Sequence, residues 1–236
     1  MNGSFGKFGS KWSILYSPEL LIQVTLTGQL ALLMLIEAIE LAGIAVVSGN
    51  TDGIVIRCPR RQAELLNSVV ADWEARTGLN TEETEYRAIY SRDVNNYIAL
   101  KPDGSFKVKG AFAFDGLHKN PSNMICNDAV LNYLTLNLDV EDTVMACDDV
   151  RRFVTIRQVK GGGVTDHGEY LGKAVRWYYS NERPAGCIRY QSNGNLVAGS
   201  EGCRPLMTLP LGLPDDIDHT WYIDNAKAML ADIGAL

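Results

Sequence analysis

The organisation of this chain follows from one stretch, Ile44-Ala-Val-Val-Ser-Gly-Asn-Thr-Asp-Gly-Ile-Val-Ile56. Two β-branched apolar runs flank a polar turn that holds a single acid, Asp52. An Asp-Gly pair between such runs is the strongest short-range signal for a β-hairpin. We therefore predict a hairpin with Asp52 at its tip. The pattern alone is compatible with an ordinary Asp-Gly turn and with a rigidly held metal-binding carboxylate.

Helices and strands are predicted on both sides of this hairpin. A long apolar helix, expected to be mostly buried, begins at Pro18 and ends before Gly43, because Pro favours the first helical position and Gly favours the position after the end. A second helix lies between Pro59 and Gly78. Alternating residues then predict antiparallel strands over 86–92, 96–100 and 105–108. The fold class is therefore α+β, with helices packed on one face of an antiparallel sheet.

The second half of the chain has a different pattern. Its predicted helices cover 121–138, 140–153 and 218–233, and its predicted short strands cover 176–179 and 188–191. Gly161–Gly163 lacks the Lys-Ser or Lys-Thr ending of a phosphate loop and is interpreted as a flexible linker. We place a domain boundary near Leu117, which gives domains 1–117 and 118–236, the second mainly helical.

Composition limits the possible cellular settings. The chain has 236 residues, 46% of them hydrophobic, and five scattered cysteines without a Cys-X-X-Cys pair. This usage favours a reducing compartment, so we expect a cytoplasmic protein. The longest uninterrupted apolar run, Leu30–Ile36, is too short to cross a bilayer, and Met1–Lys11 lacks the apolar core of a secretory signal. No membrane partner is expected.

Local charge points to a different partner from the net charge. The formal net charge is -6, which disfavours nucleic-acid binding. However, six basic and three acidic residues lie between Tyr86 and Lys119, and eight basic and three acidic residues lie between Arg151 and Arg189. A phosphate backbone responds to local basic surface. Solvated faces explain the same clusters equally well.

Six stretches, in this order, resemble motifs of family B DNA polymerases, most closely those of bacterial viruses. They span almost the whole chain. They are Asn2–Ser10 (the end of the fingers-helix motif), Val24–Gln29 (Val-Thr-X-X-Gly-Arg), Asn50-Thr51-Asp52 (the palm motif Asp-Thr-Asp), Asn95-Asn96-Tyr97 (Lys-Arg-Tyr), Lys107–Gly110, and Asp216–Ile223 (the closing thumb helix). The resemblance implies that 1–117 is the C-terminal part of a polymerase palm, with the end of the fingers motif, and that 118–236 is a thumb.

The resemblance implies a metal site at Asp52. Nucleotidyl transfer uses two Mg²⁺ ions that activate the attacking 3′-hydroxyl and stabilise the leaving pyrophosphate. Asp52 is the acid expected to bind these ions and to be catalytic, with Asn50 and Thr51 supporting it. Asn50 departs from the acid of the family motif and brings no charge.

The resemblance also implies nucleotide and DNA contacts. Phe5 and Gly6, together with Asn2, match positions that meet the incoming nucleotide; Phe5 lacks the hydroxyl of the usual Tyr, and core packing is its alternative role. The expected primer-template contacts are Asn95, Asn96, Tyr97, Lys107 and Lys109. The two asparagines stand where the family commonly has cations, so weaker binding to phosphate is expected there. Further duplex contacts are expected, on the basis of charge alone, at Arg151, Arg152, Arg157 and Lys160.

Several parts of such a polymerase are absent from the sequence. The fingers Lys that meets the triphosphate would precede Met1, and the other palm Asp has no match. One carboxylate cannot hold two Mg²⁺ ions with useful geometry. We expect a split enzyme, whose partners are primer-template DNA, deoxynucleoside triphosphates and an N-terminal polymerase chain that brings this Asp and Lys. The seam with that chain should be apolar. The alternatives are an inactive DNA-binding remnant or accessory subunit, and a reading frame that begins further upstream.

Overall fold

A computed structural model describes residues 2–113, 120–184 and 186–236. The chain forms two compact units, Met1–Thr84 and Glu85–Leu236. Each unit has its own hydrophobic core. The first unit contains α1 (Asn2–Phe8), α2 (Pro18–Leu41), β1 (Ala45–Gly49), β2 (Ile54–Arg57) and α3 (Ala63–Thr77).

The second unit contains three strands, then helices, then a larger sheet. Its elements are β3 (Ala88–Asp93), β4 (Asn96–Leu100), β5 (Phe106–Lys109), α4 (Met124–Leu136), α5 (Val140–Met145), β6 (Thr155–Thr165), β7 (Tyr170–Tyr179), β8 (Ile188–Tyr190), β9 (Cys203–Pro205) and α6 (His219–Asp232). The predicted α+β class with antiparallel sheets and several helices is confirmed. The predicted domain boundary at residue 117 lies among residues 114–119, outside the described part, and stays a prediction.

Helix α2 begins and ends where its sequence signals predict. Ser17 caps its start, because the Ser17 hydroxyl accepts the Leu20 N–H at 3.4 Å, and Pro18 occupies the first turn. The chain leaves the helix at Gly43, whose φ of 76° is a left-handed conformation that glycine adopts without strain.

The expectation that α2 is mostly buried is wrong. The core of the first unit covers only one stripe of the helix, formed by Ala31, Leu35 and Ile39. Trp73 of α3 packs there and its indole N–H donates to the Ala31 carbonyl at 2.7 Å. Seven large apolar side chains outside this stripe, between Leu20 and Met34, are exposed: Leu20, Ile22, Val24, Leu26, Leu30, Leu33 and Met34.

The length and composition of α2 match those of a membrane-spanning helix. Its mean hydropathy reaches 1.7 over an 18-residue window, and 11% of that window is buried. Core helices of soluble proteins and signal sequences near an N-terminus meet the same criterion. The expectation of no membrane partner rested on the shorter run Leu30–Ile36 and stays a prediction.

The second unit is built around two antiparallel sheets. The smaller sheet has the order β3-β4-β5 and the larger one β8-β6-β7-β9. Helices α4 and α6 pack with both sheets into one core, in which Ile98, Phe153 and Tyr222 have no exposed surface. Asp218 caps the start of α6 by accepting the Trp221 N–H at 3.1 Å.

Two local predictions in this unit are wrong. Gly161–Gly163 is part of strand β6, not a flexible linker. A side-chain carbon would lie 2.3 Å from the Tyr170 ring at Gly162 and 2.7 Å from Val175 at Gly163, so close packing favours glycine at these two positions. The helix predicted over 140–153 ends at Met145. A separate short turn of 3-10 helix follows, because the Asp149 carboxylate accepts the Arg151 N–H and starts a new cap.

A charged network joins the start of α6 to the larger sheet. The Asp216 carboxylate accepts hydrogen bonds from the Tyr178 hydroxyl at 2.8 Å, the Ser180 hydroxyl at 2.6 Å and the Arg204 guanidinium at 2.8 Å. The side chain of Asp216 is only 14% exposed. Burial acts to raise the pKa of Asp216, but the three hydrogen bonds outweigh it and lower the pKa below its ordinary value.

This network predicts a loss of stability in acid. Because the folded pKa of Asp216 is depressed, its stabilisation is present above the unfolded pKa, about 4, and is lost as pH falls through the folded pKa. We expect Asp216→Asn to lower the free energy of unfolding at pH 7 by about 1.5–3 kcal/mol and by less at pH 3. Denaturant unfolding at both pH values measures this.

The matched control is Asp215→Asn. Asp215 is adjacent and exposed, and no hydrogen bond of its side chain is seen within the described chain. Its replacement should leave the free energy of unfolding within about 0.5 kcal/mol of the original at both pH values. Equal losses in the two variants would contradict the network.

Candidate metal and nucleic-acid site

The predicted hairpin is formed by β1 and β2, and Asp52 lies at its tip. The strands pair antiparallel from Ala45 opposite Arg57 to Gly49 opposite Ile54, with a bulge between Val46 and Ser48. Asp52 is exposed. Within the part of the chain that the structure describes, no acid or base forms an ion pair with it. Its carboxylate oxygens are therefore available to a ligand.

Asn50 holds the turn that presents Asp52. The Asn50 side-chain oxygen accepts the Asp52 backbone N–H at 3.1 Å, and the Asn50 N–H donates to the Gly53 carbonyl at 2.9 Å. This is a side-chain turn of the kind that Asn and Asp favour. The amide thus reproduces the geometry that a carboxylate would supply at this position, without its charge. Thr51 is exposed in the same turn.

Asp52 supplies one hard oxygen ligand, the type that Mg²⁺ prefers. Among the described residues, no group of three His, Cys, Asp or Glu side chains is arranged to hold a metal ion. A two-metal site built on Asp52 therefore needs carboxylates from outside this part of the chain.

The predicted nucleotide-binding residues lie on α1. Phe5 is 41% exposed, and a side-chain carbon added to Gly6 would meet no atom within 4 Å. The surface beside Gly6 is therefore open for a ligand to approach the backbone. The Asn2 side chain lies outside the described part.

The predicted DNA-binding residues lie on the smaller sheet of the second unit. Tyr97 pairs with Lys109, Ala99 pairs with Lys107, and Ser91 pairs with Tyr97. Directly paired residues of antiparallel strands share a face, so Tyr97, Lys107 and Lys109 point to the same side of the sheet. Both lysines are exposed, and no ion pair to them is seen within the described ranges. The face can accept phosphate groups.

Asn95 lies in the β3–β4 turn and Asn96 is the first residue of β4; the Asn95 backbone N–H and the Asn96 side chain both form hydrogen bonds there. The Asp93 carboxylate accepts a hydrogen bond from the Asn95 backbone N–H at 2.9 Å. Its two oxygens also accept from the Asn96 side-chain nitrogen, at 2.8 and 2.7 Å. These hydrogen bonds lower the pKa of Asp93. The Asn96 side-chain oxygen accepts the Ala111 N–H at 2.7 Å, which ties the turn to the chain beyond β5. The structure thus engages the Asn96 amide in holding the sheet.

Gly110 ends the Lys107–Gly110 motif and lies against Asn95 and Asn96. Its φ is 65°, and an added side-chain carbon would lie 2.1 Å from the Asn96 side-chain oxygen and 2.3 Å from the Asn95 carbonyl oxygen. Only glycine fits here, and this explains why it follows the two lysines.

Three of the four cations considered as further duplex contacts already have hydrogen-bond partners. Arg151 binds Asp149 at 2.8 Å, and Arg152 binds Asp128 at 2.6 Å. Arg157 donates to the Ala198 carbonyl. Lys160 is exposed, and no partner for it is seen among the described residues. Local charge in the sequence did not reveal the partners of Arg152 and Arg157, because these partners are 24 and 41 residues away.

The second unit also contains a polar recess with a volume of about 480 Å³. Its lining includes Asp166, His167, Cys187, Cys203 and Arg204. Burial raises the pKa of the Cys203 thiol to about 12 and that of Cys187 to about 11. Both thiols therefore remain protonated at neutral pH.

Comparison with known proteins finds similarity to DNA polymerases. A segment of 115 residues, 48% of this chain, is 32% identical to DNA polymerase 1 of Aeropyrum pernix and covers 12% of that protein. The whole chain matches the structure of the family B DNA polymerase of Pyrobaculum calidifontis with a TM-score of 0.59, at 16% identity, and covers 32% of that structure. No protein-family model matches. The chain thus resembles family B DNA polymerases in sequence and fold, and it spans less than a third of either relative.

The close approach at Gly110 predicts a large effect of a small substitution. We expect Gly110→Ala to destabilise the second unit by about 3 kcal/mol or more, because the new methyl group adds a clash to the cost of a positive φ. Thermal unfolding followed by circular dichroism measures this.

Gly104→Ala separates the two costs. Gly104 has a φ of 84° and an added side-chain carbon would meet no atom within 4 Å. Its replacement should therefore cost only the backbone strain, about 1–2 kcal/mol. Similar losses in both variants would show that the approach of Asn96 is not a constraint.

Proposed function

We propose that this chain is the C-terminal palm and thumb part of a split DNA-directed DNA polymerase of the bacteriophage family B type. Its partners are primer-template DNA, deoxynucleoside triphosphates and an N-terminal chain that brings the other palm Asp and the fingers Lys, in the cytoplasm of the host. The observation on which the proposal rests most heavily is the exposed Asp52 carboxylate at the tip of a hairpin, with no ion-pair partner among the residues that the structure describes, in a chain whose fold matches a family B polymerase.

In this role Asp52 would hold the Mg²⁺ ions that, when bound, activate the primer 3′-hydroxyl and stabilise the leaving pyrophosphate. Asn50 orients Asp52 through its backbone N–H. Phe5 and Gly6, with Asn2, contact the nucleotide. Tyr97, Lys107 and Lys109 contact the primer-template backbone, where two ammonium groups on one face suit adjacent phosphates.

The exposed surface of α2 supports the need for a second chain. Seven large apolar residues of α2 between Leu20 and Met34 are exposed, a patch typical of a protein or membrane interaction surface. The β1–β2 sheet has only two strands, and isolated two-stranded sheets are marginally stable. An apolar partner surface that covers α2 would stabilise both features.

Reconstitution tests the catalytic role of Asp52. We expect this chain mixed with the complementary N-terminal chain to extend a primer, and Asp52→Asn to lower the rate about a thousandfold or more, because a neutral amide binds Mg²⁺ weakly. The affinity for duplex DNA should stay within twofold. Primer extension and fluorescence anisotropy measure the two quantities.

The control is Asp103→Asn, which changes the acid of the other Asp-Gly hairpin turn, between β4 and β5. Its carboxylate accepts the Ser105 N–H and hydroxyl, so its role is local, and synthesis should persist. Full activity of the Asp52→Asn mixture would refute the metal role. Absence of activity in every mixture would favour the alternative, a catalytically inactive DNA-binding remnant or accessory subunit.

DNA binding by the lysine face has a separate signature. We expect Lys107→Ala and Lys109→Ala each to reduce the slope of log affinity against log salt by about 0.9, because each lysine neutralises one phosphate. Lys227→Ala is the control, since the Lys227 ammonium already binds Glu141 at 2.9 Å. An equal change in slope for Lys227→Ala would argue against a specific face.

A further inference from the structure

The loop between α1 and α2 displays an indole that the first unit does not cover. Trp12 is 98% exposed, and Ile14 beside it is fully exposed. The three other tryptophans are packed: Trp73 and Trp177 are buried, and Trp221 stacks on Tyr179 with ring centres 3.4 Å apart. A fully exposed tryptophan lacks the favourable free energy that burial of its large ring would provide. Its exposure therefore suggests that a ligand binds it.

Hydrogen bonds within the loop hold it in a defined shape. The Ser13 N–H donates to the Ser10 carbonyl and the Tyr16 N–H donates to the Ser13 carbonyl, both at 3.0 Å. The Ser13 hydroxyl accepts the Leu15 N–H at 3.1 Å. At the end of the loop, the Ser17 N–H donates to the Phe8 carbonyl at 3.0 Å. Two successive turns therefore hold the backbone around Trp12.

Trp12 lines a shallow, open surface cavity of about 370 Å³ on this loop. The lining combines a flat aromatic surface, an ammonium group, two hydroxyls and an open glycine backbone: Gly6, Lys7, Ser10, Trp12, Ser13, Ile14 and Leu15.

The charge around the cavity favours a ligand that contains phosphate. Lys7 is exposed, and no carboxylate within the described ranges lies at ion-pair distance from it. The first acid of the chain is Glu19, whereas Lys7 and Lys11 both precede it. A ligand with a flat apolar ring and a nearby negative charge would match the indole and the ammonium together.

We propose that this cavity binds a nucleobase, with the Trp12 indole stacked on the base and the Lys7 ammonium beside its phosphate. The inference rests on the proposed polymerase function, and it adds a base-binding residue that none of the polymerase-like motifs contains. The base comes either from a single strand of DNA or from a deoxynucleoside triphosphate. Stacking on an aromatic ring is tolerant of sequence, which suits both sources.

The test uses the 236-residue chain with a fluorescent single-stranded DNA oligomer and with an oligomer of equal length made only of abasic sites. Anisotropy should show that the abasic oligomer binds at least about tenfold more weakly, because stacking is lost. Trp12→Leu should weaken binding of the normal oligomer by about tenfold, and Trp12→Phe should retain most of it. The normal oligomer should also quench tryptophan fluorescence in the original chain, and this quenching should vanish in Trp12→Phe.

Leu41→Ser is the control, since Leu41 is 88% exposed at the end of α2, outside the cavity lining, and cannot stack. It should change the affinity by less than twofold. Equal weakening by Leu41→Ser and Trp12→Leu would overturn the proposal in favour of an apolar docking surface for protein or lipid. Equal binding of the normal and abasic oligomers, or no effect of Trp12→Leu, would also overturn it.

Competition identifies the source of the base. Displacement of the oligomer by deoxynucleoside triphosphates assigns the cavity to the nucleotide, and its absence assigns the cavity to single-stranded DNA. The outcome is independent of the catalytic test, because Asp52→Asn should bind the oligomer as the original chain does. Base binding without synthesis in any mixture would therefore remove the polymerase function and leave the cavity assignment intact.

Discussion

The β1–β2 hairpin depends on packing against the two long helices of its unit. A two-stranded sheet buries too little surface to be stable by itself in water. Here Val46, Ile54 and Ile56 pack onto the core that includes Ile39 and Trp73, while the Trp73 indole N–H binds the backbone of α2. The turn at the tip is then fixed by the Asn50 side chain. The position of the Asp52 carboxylate therefore depends on apolar packing well away from it.

In the smaller sheet of the second unit, the residues that hold the structure together are also different from those available to a ligand. Asp93, Asn96 and Gly110 join a turn to the end of a strand through hydrogen bonds and close approach. Lys107 and Lys109 on the neighbouring strand form no such bonds within the described part, and they face the same side as Tyr97. The polar groups that hold the sheet are thus distinct from the charges that can meet phosphate.

Helix α2 differs from an ordinary helix of a small unit because many of its exposed side chains are apolar. A helix that packs on one neighbour normally has an apolar stripe and a polar remainder. Helix α2 has exposed apolar side chains outside its one buried stripe. Exposed apolar patches of this kind are typical of interaction surfaces.

Local signals in the sequence determined the hairpin, the starts of α2 and α6, and the positions of the small strands. These features depend on residues close together in the chain, such as Ser17 with Pro18, Asp52 with Gly53, and Asp218 with Trp221. Motif order also indicated the polymerase-like fold. Tertiary structure alone decided what surrounds each side chain. It showed that Gly161–Gly163 is packed within β6, that Asn96 is engaged by Ala111, that Arg152 is paired with Asp128, and that most of α2 is uncovered. The physical reason is that burial and pairing depend on groups distant in sequence, whereas turns and helix caps depend on neighbours.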